Sequence, residues 1–399
     1  MYSVTQILEK MLKKQFMTNR LKIYLLTLLS FLVGTSQFII AGVLDKIADS
    51  LDITVASAGQ LVTVFALASA IGTPILTVLI SKYSLKKQLL IAIFIFMVGN
   101  FLTPLDLGYE VLIFARAITG LGTILFVVVS YIFASRLAGE GKQGSGMSNI
   151  ALGFSLSQVA GVPLGRAIAN LYDWQMIFYL VGFLVFLGTL VVIFTFKNRH
   201  PEKTPSIKKQ INILKDKLVL LSLIVTVFVF ITFSAITTFI TPLIFSIERV
   251  DEHEIALIFV ILGVASVIGS KVGATIADRV GVNKVLLSTL LIIVFSLIVM
   301  NIFSSFLNIF VLMLTIWSAT IWMFGPTQGL NLSKMVPSHA SILLSLNSSF
   351  VQLGFALGAF LGGVCINIFS IQSILNLAVV STVIALAIYL FTLKKKKVN

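Results

Sequence analysis

"IGTPILTVLISKYSLKKQLL" at 71–90 and "IGSKVGATIADRVGVNKVLL" at 268–287 are two copies of one pattern. A shift of 197 positions sets Ile71, Gly72, Leu89 and Leu90 on identical residues, Lys82 on Arg279 and Lys87 on Lys284. Each copy is an apolar run that ends in a short basic turn and at once begins another apolar run. The shift is about half of the 399 residues, so one structural unit has been built twice. The copies differ at the turn itself. Ser81 stands opposite Asp278, and Ser84 stands opposite Gly281.

The composition says what kind of unit is repeated. Hydrophobic residues make up 58% of the chain and charged residues 11%, and the mean hydropathy is +1.06. Soluble domains carry about 25% charge. A water-soluble fold has no place for this much apolar surface, so the chain belongs in a bilayer. A helix needs about 20 apolar residues to cross the hydrocarbon. Twelve stretches meet or approach that length: 23–44, 58–81, 89–104, 111–135, 146–170, 175–196, 218–245, 255–277, 285–304, 308–333, 341–366 and 372–393. The first run lacks a small-residue cleavage site behind it and reads as a span, not a removed leader. The predicted fold is therefore an all-α membrane protein of twelve transmembrane helices in two six-helix halves. The expected divisions are an N-terminal segment 1–22, a bundle 23–196, a linker 197–217, a second bundle 218–393 and a basic tail 394–399. The linker "KNRHPEKTPSIKKQINILKDK" is rich in Lys, Pro and Ser, and Val4, Ile7, Leu8, Met11 and Leu12 give the N-terminal segment an amphipathic helical spacing.

The net charge of +14 is a topology signal. With the N-terminus inside, 24 of the 29 basic residues fall in inner segments, and the outer loops hold only Lys46 and Arg249. Ten of the fifteen acids lie in the outer loops. This positive-inside pattern predicts a multi-pass protein of the cytoplasmic membrane with both termini in the cytoplasm. It leaves no basic surface to explain by nucleic acid. The single cysteine, Cys365, excludes a disulfide within the chain and any all-cysteine metal site. "GEGKQGSG" at 139–146 lacks both the spacing and the preceding strand of a phosphate-binding loop. No metal-ligand or nucleophile constellation is present, so neither an enzyme nor a cofactor is expected.

Four motifs lie in register with the repeat. "GATIADRVGVNK" at 273–284 resembles the signature loop of the major facilitator superfamily. "ARAITGLGT" at 115–123 resembles its helix-4 motif, an arginine followed by glycine at the fourth position. "GFSLSQVAGVPLGRAIANLYDWQMIFYLVG" at 153–182 resembles the helix-5 motif of its twelve-helix drug:proton antiporter branch. "GTSQFIIAGVLDKIADSLDITVASAGQLVTVFAL" at 34–67 is similar to the opening of bacterial sugar-efflux and purine-efflux exporters in that branch. The resemblance implies a monomeric secondary transporter that exports a small organic molecule by alternating access in exchange for protons. It also implies a latch at the inner turns, to which Ser81, Lys82, Asp278, Arg279 and Gly281 would belong. A glycine-proline stripe on helix 5, Gly161, Pro163 and Gly165, would let a neighbouring helix approach closely.

Charge inside the spans is costly and usually functional. Lys271 and Arg166 lie near span ends, and snorkelling accounts for both. Arg116 lies deeper and holds the arginine position of the helix-4 motif. No carboxylate lies in the middle of any span. Gln37 stands where the sugar-efflux relatives carry a glutamate, and an amide cannot titrate. Two expectations follow. The cargo is neutral or anionic (a nucleobase or nucleoside, a sugar or an antibiotic), because a buried cation wants a buried carboxylate. Proton coupling must draw on Asp45 or Asp49 just outside the first span, acting through Arg116. An importer or uncoupled facilitator of the same fold is the alternative, ahead of a non-transporting sensor. The residues expected at the substrate are Gln37, Arg116, Thr119, Gln158, Thr237, Trp322, Gln328 and Asn347.

Overall fold

The computed structural model describes residues 18–139, 143–198, 212–248, 250–336 and 340–396. The amphipathic segment 1–17, most of the linker and the side chain of Asp278 lie outside the described residues. Fifteen α-helices and one π-helical turn follow one another, with no strand among the described residues. The first half holds α1 (Asn19–Gly42), α2 (Leu44–Ser50), α3 (Val55–Ile80), α4 (Leu85–Leu102), α5 (Tyr109–Ala138), α6 (Gln143–Leu156), the π turn (Ser157–Gly161), α7 (Val162–Leu171) and α8 (Gln175–Thr195). The second holds α9 (Lys217–Thr238), α10 (Ile240–Phe245), α11 (Glu252–Val280), α12 (Val282–Ile302), α13 (Leu307–Met335), α14 (Ala340–Ile368) and α15 (Ser373–Lys396).

Polar residues mark several of the starts. Thr54 Oγ1 accepts from the Ser57 amide at 3.1 Å, and Asp216 Oδ1 accepts from the Leu218 amide at 2.8 Å. Asp251 and Glu254 form a reciprocal capping box at the head of α11. Such caps satisfy amide donors that the first turn of a helix leaves unpaired. Between the caps the helices are apolar all round, and large side chains such as Phe94, Phe114, Phe194 and Phe295 stand exposed on the flanks. That surface suits lipid, not water.

Eleven of these helices are long and apolar enough to cross a bilayer. The expected fifth span, 146–170, is present as one continuous helical run in three pieces, α6, the π turn and α7. Proline has no N–H and crowds the carbonyl four residues back. The π turn just before Pro163 widens the ladder there, and the Val162 amide pairs with the Ser157 carbonyl, one residue further back than α-helical pairing. The expected seventh span, 218–245, is divided at Phe239 (φ −109°, ψ 18°) into α9 and α10. Val43 (φ −127°, ψ 21°) makes the corresponding break between α1 and α2. Asp45 and Asp49 thus sit on a short helix of their own.

The halves join along two seams. α3 packs on α14, and α11 packs on the α6–π–α7 run. Gly263 of α11 lies against the Val159 backbone, and Gly363 of α14 lies over Gln60 and Ala56 of α3. A Cβ at Gly263 would overlap Val159, so the close approach requires glycine. The stripe on α6–α7 is turned elsewhere. Gly161 faces Thr35 and Gly165 faces Ile39, both on α1 of the same half. At the end of the bundle that carries the acidic loops, α10 packs on α1 and α2. There the Phe239 ring fills the space left by Gly59 and Gly362.

The opening repeat also takes shape here. In its register α4 and α12 begin at equivalent positions, but α11 continues three residues further than α3. Asp278 and Arg279 therefore lie in the last turn of a helix, where Ser81 and Lys82 lie in a loop. Only Gly281, at φ 96°, separates α11 from α12.

Candidate substrate cavity

A cavity of about 90 Å³ lies between the halves. From the first half α1 contributes Gln37 and Phe38, α3 contributes Phe65, α5 contributes Arg116 and the π turn contributes Gln158. From the second half α9 contributes Phe233 and Thr237, α11 contributes Phe259, α13 contributes Trp317, Ser318 and Trp322, and α14 contributes Phe355. None of the lining residues is Asp or Glu. A few polar groups on otherwise apolar walls are the usual make-up of a small-molecule site.

Arg116 is completely buried. Its guanidinium lies 4.6 Å from the centroid of the Phe65 ring, and its Nη1 donates to the Ser36 carbonyl at 3.2 Å. The Ser36 hydroxyl donates to Asn100 Oδ1 at 2.7 Å, and Asn100 Nδ2 donates to the Phe178 carbonyl at 2.8 Å. This chain of bonds ties α1, α4, α5 and α8 together and fixes the arginine. Among the described residues its Nε and Nη2 have no partner. The opposite wall is aromatic. The Phe233 ring stacks on Trp317 at 5.9 Å and meets Trp322 and Phe355 edge to face at 6.0 and 5.2 Å. Trp317 is buried and its Nε1 donor is also without a partner among the described residues.

Five of the eight residues expected at the substrate border this cavity: Gln37, Arg116, Gln158, Thr237 and Trp322. The other three do not. Thr119 donates to its own helix at the Ala115 carbonyl and packs on Gly99 of α4. Gln328 donates to the Ser222 carbonyl at 2.7 Å and to Thr226 Oγ1 at 3.1 Å. Asn347 Oδ1 accepts from the same threonine at 3.0 Å. Gln328 and Asn347 thus belong to a polar tie among α9, α13 and α14. Sequence reasoning passed over Phe65, Phe259 and Ser318, because nothing local separates a cavity phenylalanine from one that faces lipid.

Arg166 does not snorkel. It is fully buried, its Nη2 lies 3.0 Å from Asp45 Oδ2, and its Nη1 donates to Asp45 Oδ1 at 3.1 Å and to the Gly42 carbonyl. The guanidinium also lies 5.9 Å from the Phe245 ring of the second half. Asp45 is therefore joined to Arg166, not to Arg116 as expected, and Asp49 is exposed. Of the turn residues, Ser81 donates its hydroxyl to the Val78 carbonyl at 2.7 Å, closing the end of α3 instead of capping α4. Lys82 lies over the Tyr83 ring, and Arg279 is exposed. Gly281 borders a second, open pocket with Lys284 and Lys334.

The family model described as Major Facilitator Superfamily matches residues 26–341 and 222–399. The chain belongs to the Major Facilitator Superfamily. Within the superfamily it is 35% identical over 371 residues to "Uncharacterized MFS-type transporter YbcL" of Bacillus subtilis, covering 93% of this chain and 95% of that protein. It is 26% identical over 344 residues to a "Probable sugar efflux transporter" of Mannheimia succiniciproducens, covering 86% of each. Among solved structures, a bacterial homolog of the human lysosomal transporter Spinster, inward-facing and unoccupied, superposes with a TM-score of 0.75 at 14% identity over 95% of this chain and 97% of that one. The nucleoside transporter NupG superposes with a TM-score of 0.73 at 14% identity over 94% and 100%. Membership and fold make the chain a multi-pass membrane transporter of a small molecule. Superfamily transporters hold their cargo at the interface of the two repeats, which is where the Arg116 cavity lies.

Proposed function

We propose that the chain exports a small organic molecule, neutral or anionic, across the cytoplasmic membrane by alternating access in exchange for protons. The observation that carries this reading is the cavity between the halves, with one buried guanidinium on one wall and an aromatic cluster on the other. Gln37, Arg116, Gln158, Thr237 and Trp322 would contact the cargo. Export is supported by the similarity to a probable sugar efflux transporter and by the exporter-like stretches at 34–67 and 153–182. The positive-inside charge pattern supports termini that both face the cytoplasm, and the chain would act as a monomer.

Asp45 and Arg166 form the coupling element in this reading. They sit at the acidic end, where Phe245 of the second half leans on the pair. Rocking the halves apart there would separate Phe245 from Arg166 and expose Asp45 to outside protons. The Ser81–Lys82 and Asp278–Arg279–Gly281 turns would form the latch at the opposite end. One observation favours a second reading, an uncoupled or inward-directed carrier: no carboxylate lines the cavity. Substrate accumulation in cells with and without the protein, across a panel of purines, sugars and neutral antibiotics, separates the directions. Proton uptake alongside substrate in liposomes, and its loss in Asp45→Asn, separates coupled from uncoupled transport. Higher accumulation of every panel member in cells that carry the protein would defeat export.

A further inference from the structure

The two donor groups left unpaired on opposite walls of the cavity describe a ligand more narrowly. Nε and Nη2 of Arg116 share one edge of the planar guanidinium, the edge that grips a carboxylate through two parallel hydrogen bonds. The third nitrogen, Nη1, is held by the Ser36 carbonyl, and the Phe65 ring covers one face. Packing has thus fixed the fork with its gripping edge unused. No Asp or Glu lines the cavity to balance the charge, and a buried charge without a partner is costly. An anion relieves that cost, and a cation raises it. Across the cavity, Phe233, Trp317, Trp322 and Phe355 form an aromatic box. Rings pack against such surfaces edge to face or offset. The buried Trp317 N–H adds one more unpaired donor beside the box. The size agrees. At roughly 10–15 Å³ for each buried water, a cavity of about 90 Å³ has room for roughly six to nine heavy atoms, the size of one ring with a carboxyl group.

We propose that the cavity binds a planar aromatic monoanion, with its carboxylate on the Nε–Nη2 edge of Arg116 and its ring in the box around Phe233. This rests on the transporter reading above and names the substrate class of that same site. The carboxylate supplies two strong acceptors for the arginine, and a ring substituent that accepts a hydrogen bond would reach Trp317.

The test uses the full chain in detergent and needs no transport step, so it separates site chemistry from direction and coupling. Two of the three tryptophans line the cavity, so intrinsic fluorescence and thermal stability report occupancy. The probes are benzoate, 4-hydroxybenzoate and nicotinate, with benzamide as neutral isostere and benzylamine as cation. The expected result is that at least one carboxylate binds at least roughly tenfold tighter than benzamide, and that benzylamine does not bind. Arg116→Gln should erase the anion preference, and Arg116→Lys should keep part of it. Should Arg116→Gln fail to fold, Arg116→Lys serves: it keeps the charge but loses the two-bond edge, so it should bind benzoate more weakly than the parent protein, and equal benzoate affinity in the two would overturn the proposal. Equal binding of benzamide and benzoate would overturn the proposal while leaving export standing. Binding of none of the three carboxylates would overturn it too, as would unchanged benzoate affinity in a folded Arg116→Gln.

Discussion

The two halves lead into equivalent helices by different routes. In the first half α3 stops at Ile80 and a loop of four residues leads to α4. In the second half α11 runs one turn further, and Gly281 alone makes the corner to α12. A one-residue corner demands a backbone that L side chains resist, hence glycine at φ 96°. A four-residue loop makes no such demand, so serine serves. The missing glycine is therefore a consequence of loop length, not decay of the copy. The cavity walls diverge in the same manner. The first half brings a cation, two amides and two phenylalanines, and the second brings both tryptophans and three further phenylalanines. Duplication kept the scaffold and divided the chemistry.

That division predicts unequal responses, and the largest belongs to the first half. Asp45→Asn removes the carboxylate that pairs with the fully buried Arg166. We expect it to cost about 2 kcal/mol of stability, less than the loss of a fully buried pair because Asp45 keeps 21% side-chain exposure. Thermal unfolding in detergent measures this. Adding Arg166→Gln should recover part of the loss, and strictly additive losses would show that the pair does not couple.

Next comes the cation of the cavity. Arg116→Gln should lower transport at least roughly tenfold, about 1.4 kcal/mol, while the protein still reaches the membrane. Loss of membrane protein in step with activity would assign Arg116 to folding instead.

The turns follow. Gly281→Ala meets open space but keeps a positive φ, so it should cost about 1 kcal/mol through backbone strain alone. Ser84→Ala loses only an exposed bond to Asn198 Oδ1 at 3.1 Å and should change stability by less than about 0.5 kcal/mol. Comparable melting shifts in these two variants would break the account of the corner.

The proposed latch is the subtlest case. Asp278→Asn should slow transport about fivefold, the loss expected when a closed latch gives up one charge-assisted hydrogen bond. Ser81→Ala should leave the rate unchanged, since that hydroxyl bonds its own helix. Matching rates in the two variants would mean that the latch is not asymmetric.

Much of this was legible in the residues. The apolar runs, the basic turns and the shift of 197 positions are properties of neighbours in the chain, and bilayer insertion reads such runs directly. Gln37, Arg116, Gln158, Thr237 and Trp322 border the cavity, and the sequence singles them out because a polar side chain or a mid-span tryptophan N–H is costly in an apolar helix unless something pairs with it. The same argument also singles out Thr119, Gln328 and Asn347, which pair with their own or neighbouring helices and do not border the cavity. A polar residue in a span needs a partner, but its sequence does not say whether that partner is a ligand, a neighbouring helix or its own backbone.

The sequence by itself determined a duplicated bundle of spans, its basic and acidic ends and the absence of an acid from the middle of any span. The tertiary structure decided the rest: the breaks at Val43 and Phe239, the π turn before Pro163, the burial of Arg166 against Asp45 and the free edge of Arg116. The reason is distance along the chain. Arg166 and Asp45 are 121 residues apart, and Arg116 and Ser36 are 80 apart. Hydropathy is a local property, whereas a buried charge takes its meaning from whichever helix the fold sets beside it.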